Sequence, residues 1–186
     1  FSGPYARRSY LILAAWLLVS ISYYGIFVWL PGKLVSAGEH YGFLRGYGFL
    51  VLLALAQIPG YALAAYGVER WGRKPTLIAF LLLSAVGCFL YAILTDPTAI
   101  GAAMMLMSFA LLGTWGALYA FTPELYPTSL RASGMGLAGA MARLGGLLAP
   151  TVVGAVVAYS FNVALGLFSV ILLLGALATA AIDGET

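Results

Sequence analysis

Six nearly uncharged stretches, each about as long as a lipid bilayer is thick, take up most of this chain. They run at roughly 9–30, 46–68, 75–95, 98–122, 133–158 and 162–182. In a helix, twenty residues rising ~1.5 Å each cross a hydrocarbon core of ~30 Å. Five of the stretches hold no charged residue, and the remaining one holds only Arg143. None shows the alternation of polar and apolar residues that barrel strands require. Composition closes the alternatives: 8% of the 186 residues are charged and 63% are hydrophobic, whereas a water-soluble domain carries ~25% charged residues. The sequence therefore predicts an all-α membrane protein, a bundle of six transmembrane helices.

The few ionised side chains sort by side. Arg7 and Arg8 precede the first span, Arg70, Arg73 and Lys74 follow the second, and Arg131 follows the fourth. The other set of loops offers only Lys33 and Arg45, and the turns "TDPT" and "YSFN" offer none. Basic residues in short loops mark the cytoplasmic side, which places both termini in the cytoplasm of a cell bounded by a plasma (inner) membrane. The net charge of +3 follows from this bias and calls for no nucleic-acid partner. His40, in "SAGEHYGF", reads as a solvated loop residue with no second ligand nearby, so neither metal nor cofactor is expected. Cys88, the lone cysteine, reads as a packing or lipid-facing thiol. The opening "FSGPYARRSY" lacks a signal-peptide layout and reads as part of a longer or processed chain.

"GVERWGRKP", residues 67–75, gathers Glu69, Arg70, Arg73 and Lys74 in one tight loop. Gly72 suits the turn and Pro75 the first turn of the next helix. Charge here serves either as a plain topological anchor or as a latch of acid and base between helix ends. The pattern acid, base, any residue, Gly, Arg, base in "ERWGRK" resembles the signature loop of the major facilitator superfamily. The acid is Glu rather than the usual Asp, and Ala65 stands where a Gly is usual, as in the weaker copy found in the second half of such transporters. "TPELYPTSLRASGMG", residues 122–136, resembles the junction between fourth and fifth spans in the second half of metabolite:proton symporters, sugar porters and organic-ion carriers. Glu124, Pro127 and Arg131 fill its positions. "SYYGIFVWLP", "ARLGG" and the closing "GET" are similar to further stretches of the same symporters. The resemblance covers essentially the whole chain. It implies helices seven to twelve of a twelve-helix transporter, built as two inverted three-helix repeats and lacking the first six helices unless a second copy replaces them. It also makes Glu69, Arg70, Gly72, Arg73, Lys74, Glu124 and Arg131 a gating latch.

Polar residues inside spans suggest a path or a helix contact. Gln57 and Tyr61 lie on one face of the second span, flanking Pro59 and Gly60, which weaken the local ladder. Gln57 serves either a solute or helix packing. Tyr23 and Tyr24 point about 100° apart on the first span, so one at most is expected to face a given cavity squarely. Trp115 and Tyr119 share a face of the fourth span and serve either as an aromatic wall or as interface residues. Tyr5, Trp29 and Trp71, at span ends, read as interfacial anchors. Arg143 lies about ten residues inside the fifth span, where lipid exposure would cost at least ~2.5 kcal/mol. It is expected to pair with Glu124, to line the inner gate, or to bind a solute carboxylate. The small-residue row Ala138, Ala142, Gly146, Pro150 and Gly154 reads as a packing surface, with Gly145, Gly146 and Pro150 as an alternative bending point. The third and sixth spans read as lipid-facing supports.

These features predict no enzyme, since no nucleophile has a titratable partner nearby. The resemblance implies half of a secondary active transporter that moves a small organic solute, an organic acid or sugar, by alternating access with proton coupling. A facilitator without proton coupling, and a transporter-like protein that binds or scaffolds without moving solute, are the alternatives.

Overall fold

A computed structural model of the chain describes residues 3–36 and 47–183, with side chains from 3–30 and 48–183. His40, Arg45 and the closing "GET" fall outside the described residues, as does the side chain of Lys33. The helices are α1 (Ala6–Ser36), α2 (Tyr47–Arg70), α3 (Arg73–Ile93), α4 (Pro97–Phe121), α5 (Arg131–Leu148), α6 (Gly154–Tyr159) and α7 (Phe161–Ala180). A π-helical turn, Ala149–Val153, joins α5 to α6, so that together they make the fifth crossing. Among the described residues, six segments are thus long and apolar enough to span a membrane.

The turns explain where the chain reverses. Between α2 and α3 only Trp71 and Gly72 intervene, and Gly72 takes φ +93°, a conformation that side chains resist. Asp96 caps α4 by accepting from the Ala99 amide at 3.1 Å, and Pro97 occupies the first turn, where its missing N–H costs nothing. Ser160 caps α7 in the same way, accepting from the Val163 amide.

The packing is repeated. α1 packs on α5 as α4 packs on α2, and α1 packs on α7 as α4 packs on α3. The α3–α7 contact maps onto itself under the same exchange. Swapping the first three spans for the last three therefore preserves the map of major contacts, the signature of two inverted three-helix repeats. Matching hydrogen bonds reinforce this: Ser20 of α1 donates to the Ala142 carbonyl of α5, and Ser108 of α4 donates to the Leu53 carbonyl of α2.

Burial sets the roles. Trp16, Leu77, Leu81, Met107, Leu111, Phe121 and Phe168 form the centre of the core. On α3 the residues Leu82, Val86, Phe89 and Ile93 are exposed at helical spacing, and on α7 so are Val163, Leu167, Val170, Leu174 and Leu177. Such apolar outer stripes suit lipid. α2 and the α5–α6 crossing are the least buried spans and α4 the most.

Candidate functional site

Four helices, α1, α2, α4 and α5, enclose an open cavity of about 380 Å³. Tyr23, Tyr24, Tyr61, Trp115, Tyr119 and Arg143 all line it, together with Leu112, Gly139 and Ala142. Both adjacent tyrosines of α1 take part, against the expectation of one. They diverge and still reach the same space, because each leans on a different neighbour. The Tyr23 ring stands edge-on to Trp115 of α4 at 5.9 Å, while Tyr24 packs over Gly146 of α5. Gly146, from the small-residue row, supplies the clearance that lets Tyr24 turn inward.

Behind this wall stands Trp16, wholly buried. Its indole N–H donates to the Thr122 hydroxyl at 2.8 Å, and that hydroxyl donates onward to the Leu118 carbonyl. The Trp16 ring meets Tyr119 at 4.8 Å and Trp115 at 5.5 Å, both edge-on. Edge-to-face aromatic pairs contribute ~0.5–1.5 kcal/mol each beyond simple burial. The aromatic lining is thereby held in one arrangement before any solute arrives.

Gln57 does not line the main cavity. It borders a smaller pocket of about 80 Å³ with Phe27, Leu30, Leu50, Leu53 and Ala54, and its side chain hydrogen-bonds Tyr23. The amide thus acts on the cavity through Tyr23. Pro59 does not interrupt α2, which stays helical from Tyr47 to Arg70. The break in regularity lies instead in the fifth crossing, at the π turn that contains Pro150. A residue inserted into the α-helical ladder there widens one turn, a geometry frequent at functional sites.

Among the described residues, the cavity lining has one cation, four phenols and one indole, and no carboxylate. Arg143 does not pair with Glu124, contrary to one expectation. Glu124 lies 2.6 Å from Arg73 Nε instead, in a half-buried ion pair that ties the start of α3 to the turn after α4. The reason is position: Glu124 sits beyond the end of α4, level with the start of α3, whereas Arg143 lies three turns inside the fifth crossing. Trp115 is 8% exposed, and its Nε1 finds no hydrogen-bond acceptor among the described residues. Buried donors are nearly always paired, so this orphan indole N–H is an exception, and without accessible surface of its own it is packed away from the open cavity.

The expected latch residues meet at one end of the bundle, by different contacts. Lys74 Nζ donates to the Ile182 carbonyl at 2.6 Å, joining α3 to the end of α7. Arg131 Nε donates to the Tyr126 carbonyl. Arg70 lies over the Tyr66 ring at 5.9 Å, and Glu69 lines a groove with Tyr61, Ala65 and Arg73. Within "ERWGRK", then, Arg73 and Lys74 reach other parts of the bundle, while Arg70 stays on the aromatic face of its own helix. Arg7 and Asp183, 2.6 Å apart, add an exposed pair between the two ends of the chain. Trp71 is exposed and packs edge-on to Tyr66, while Trp29 is half-buried with its Nε1 unpartnered among the described residues. An interfacial anchor would keep that indole nitrogen wet. Sequence reasoning missed Leu112, Gly139 and Ala142 in the lining. The last of these lay visible in the row of small residues.

Comparison with known proteins agrees with this architecture. The chain is 43% identical over 153 residues to the niacin transporter NiaP of Acinetobacter baylyi, a match covering 82% of this chain and 34% of that one. It is 36% identical over 176 residues to a candidate niacin/nicotinamide transporter of Bacillus subtilis, covering 94% and 44%. It is also 28% identical over 203 residues to the synaptic vesicle 2-related protein of Rattus norvegicus, covering 98% and 37%. The chain spans less than half the length of each of these relatives. The family profile of the Major Facilitator Superfamily matches residues 46–183, and the chain belongs to that superfamily.

Proposed function

We propose that these six helices form half of a secondary transporter that moves a small aromatic carboxylate across the membrane by alternating access. The observation that carries this reading is a guanidinium, Arg143, set in an aromatic cavity whose lining, among the described residues, has no carboxylate. A planar guanidinium holds a carboxylate through two parallel hydrogen bonds, and the facing phenols and indole suit a flat ring. A monocarboxylic aromatic acid fits this layout better than a sugar, which would leave the guanidinium without a counter-charge. That a relative sharing 43% identity is named a niacin transporter supports the same class, since niacin is a pyridine carboxylate.

Both termini and the basic cluster face the cytoplasm in this reading, supported by Arg7, Arg70, Arg73, Lys74 and Arg131 lying at one end. A second six-helix half, or a second copy, completes the path. The contacts from Arg73, Lys74 and Arg131 serve as a latch that must be broken and remade during transport. Coupling to protons rests on the resemblance to symporters. The described acids, Glu69, Asp96, Glu124 and Asp183, all lie at helix ends, so the proton carrier belongs to the complementary half.

The test is uptake of radiolabelled nicotinate into proteoliposomes holding the complete protein. Arg143→Ala should lower uptake by about 10- to 100-fold, the weight of hydrogen bonds to a charged group. Arg143→Lys should restore little of it. Full activity in Arg143→Ala would remove the basis of the proposal. Uptake unchanged when the pH gradient is collapsed would leave a facilitator in place of a symporter, and binding without uptake would leave a non-transporting protein.

A further inference from the structure

We propose that the ring of Tyr61 is a steric door between the central cavity and a second chamber toward the charged end of the bundle. A solute passes from one to the other only when that ring turns aside. The inference rests on the reading of the cavity as a solute path, and names the side chain that controls passage out of it.

The second chamber is the groove of about 280 Å³ between α2 and α4, lined by Tyr61, Ala65, Glu69, Arg73, Gly116 and Ala120. Among the described residues, Tyr61 alone borders both this groove and the central cavity. Along α2, Gln57, Tyr61, Ala65 and Glu69 recur every four residues and share one face. From one end of the helix to the other, that face borders the small pocket at Gln57, the cavity at Tyr61, and the groove at Ala65 and Glu69. Three spaces thus lie in file. The last of them ends at Arg73, which holds Glu124, about two turns or more beyond Tyr61.

The four tyrosines of the cavity are not held alike. Tyr23 bonds Gln57 and stands against Trp115, Tyr24 stands edge-on to Tyr23, and Tyr119 is braced by Trp16. Tyr61 has no hydrogen bond and no ring partner among the described residues, and it is 48% exposed. What surrounds it is small. A Cβ added at Gly116 would only touch the Tyr61 ring, at 3.4 Å, and Ala65 and Ala120 continue the floor of the groove. Exposed side chains that nothing wedges change rotamer on the nanosecond scale or faster. The wall therefore contains three fixed rings and one free ring, and the free one stands where the two chambers meet. Its bulk is the obstacle, since its hydroxyl ties it to nothing.

The experiment is thiol labelling of the complete protein in proteoliposomes, with its other reactive thiols replaced and a membrane-impermeant maleimide added on the side of the basic cluster. One reporter cysteine replaces Ala65 in the groove. Another replaces Gly139 in the central cavity, where an added Cβ meets nothing within 4 Å. The groove reporter should react at least about tenfold faster than the cavity reporter; Tyr61→Ala should raise the cavity rate about tenfold and move the groove rate less than about twofold. Tyr61→Phe, which keeps the ring, should leave the cavity reporter slow. Equal rates at the two positions in the unaltered chain would mean one open space, and the proposal fails. It fails also if Tyr61→Ala leaves the cavity reporter slow, or speeds both reporters together, which would be the latch opening as a whole. An opening by Tyr61→Phe as large as that by Tyr61→Ala would assign the barrier to the hydroxyl and overturn the steric door. Labelling needs no solute, so these outcomes are independent of nicotinate uptake and of Arg143→Ala, which test the solute assignment by themselves.

Discussion

The α1–α5 pair and the α4–α2 pair occupy equivalent places in the two repeats, and each is pinned by a serine that donates to a carbonyl of its neighbour. They differ in what they do with that shared scaffold. The α1–α5 side carries Arg143, the paired tyrosines and the π turn at Pro150. Its counterpart carries Tyr61 and Trp115 on an α2 that stays helical through Pro59 and an α4 that is the most buried span. One side has the charge and the irregular backbone, the other a regular aromatic wall. The shared contacts supply the frame, and the differences within it supply a cavity with two unlike faces.

The largest test of the comparison uses its two closest helix approaches. At Gly60 of α2 an added Cβ would strike the backbone carbonyl of Phe109, which cannot swing aside. At Gly145 of α5 an added Cβ would meet the Ser20 Oγ, which can rotate at the cost of its hydrogen bond, and the Ser20 Cβ, which is fixed to the α1 backbone, with the Ile21 amide somewhat farther off. Gly60→Ala should therefore destabilise by about 2–3 kcal/mol and Gly145→Ala by less, about 1–2 kcal/mol, both as overpacking does. Melting temperatures in detergent check this. Equal losses would mean that the two approaches are equally rigid and the contrast is wrong.

A second contrast lies at the charged end. Arg73–Glu124 is half-buried, with side chains 37% and 28% exposed, whereas Arg7–Asp183 is at 66% and 72%. Exposed pairs contribute little, typically below ~1 kcal/mol, because water and salt screen them. Glu124→Gln should accordingly change the balance between inward- and outward-facing states several-fold, read by thiol labelling of a cysteine placed at Ala142, and Asp183→Asn should leave it unchanged. The charge swap Arg73→Glu with Glu124→Arg should recover part of the effect. Equal behaviour of the two acids would demote Glu124 to a surface charge.

How much of this was legible beforehand depended on the kind of physics involved. Spans followed from run length, since each had to satisfy its backbone internally across the bilayer. The cavity residues Tyr23, Tyr24, Tyr61, Trp115, Tyr119 and Arg143 were visible as polar groups at depth, which hydrocarbon penalises. Gln57 was visible for the same reason, yet whether it touched the cavity or acted through Tyr23 depended on the α1–α2 contact, which no spacing encodes. The partner of Glu124 was misplaced because sequence distance along one helix says nothing of which neighbouring helix end stands beside it. Repeat symmetry was implied by the family resemblance and not legible in the residues themselves: the halves share contacts and not residues, so the chain shows it in the packing of α1 on α5 beside that of α4 on α2.

The two prolines offer the next contrast in size. Pro150 sits in a π turn, where the ladder is already relaxed, and Pro59 sits in an otherwise continuous helix. If the π turn is the place where the fifth crossing bends during transport, Pro150→Ala should slow uptake by several-fold with little loss of binding. Pro59→Ala should leave the rate near its starting value, having only restored a backbone donor. Electron paramagnetic distances between labels on either side of residue 150 would show a narrower distribution in Pro150→Ala. Slowing by Pro59→Ala of the same size would mean that the helix bearing Gln57 and Tyr61 bends too, and that the halves move alike despite their different rest geometry.

The smallest effects, and the sharpest on symmetry itself, come from Ser20→Ala and Ser108→Ala. Each removes one interhelical hydrogen bond to a carbonyl, and such bonds in membrane proteins average ~0.6 kcal/mol. If the repeats share a frame, the two substitutions should cost the same within error and should add in the double variant, since they act on different helix pairs. Ser169, which donates to the Ala85 carbonyl across the α7–α3 contact, provides the third member of the series at the place where the repeats meet. A Ser20→Ala loss much larger than that of Ser108→Ala would show that the α1–α5 pair relies on its serine because the neighbouring π turn and the small residues beneath Tyr24 leave it less van der Waals contact to fall back on. The divergence that built the site would then have been drawn from the stability of the frame.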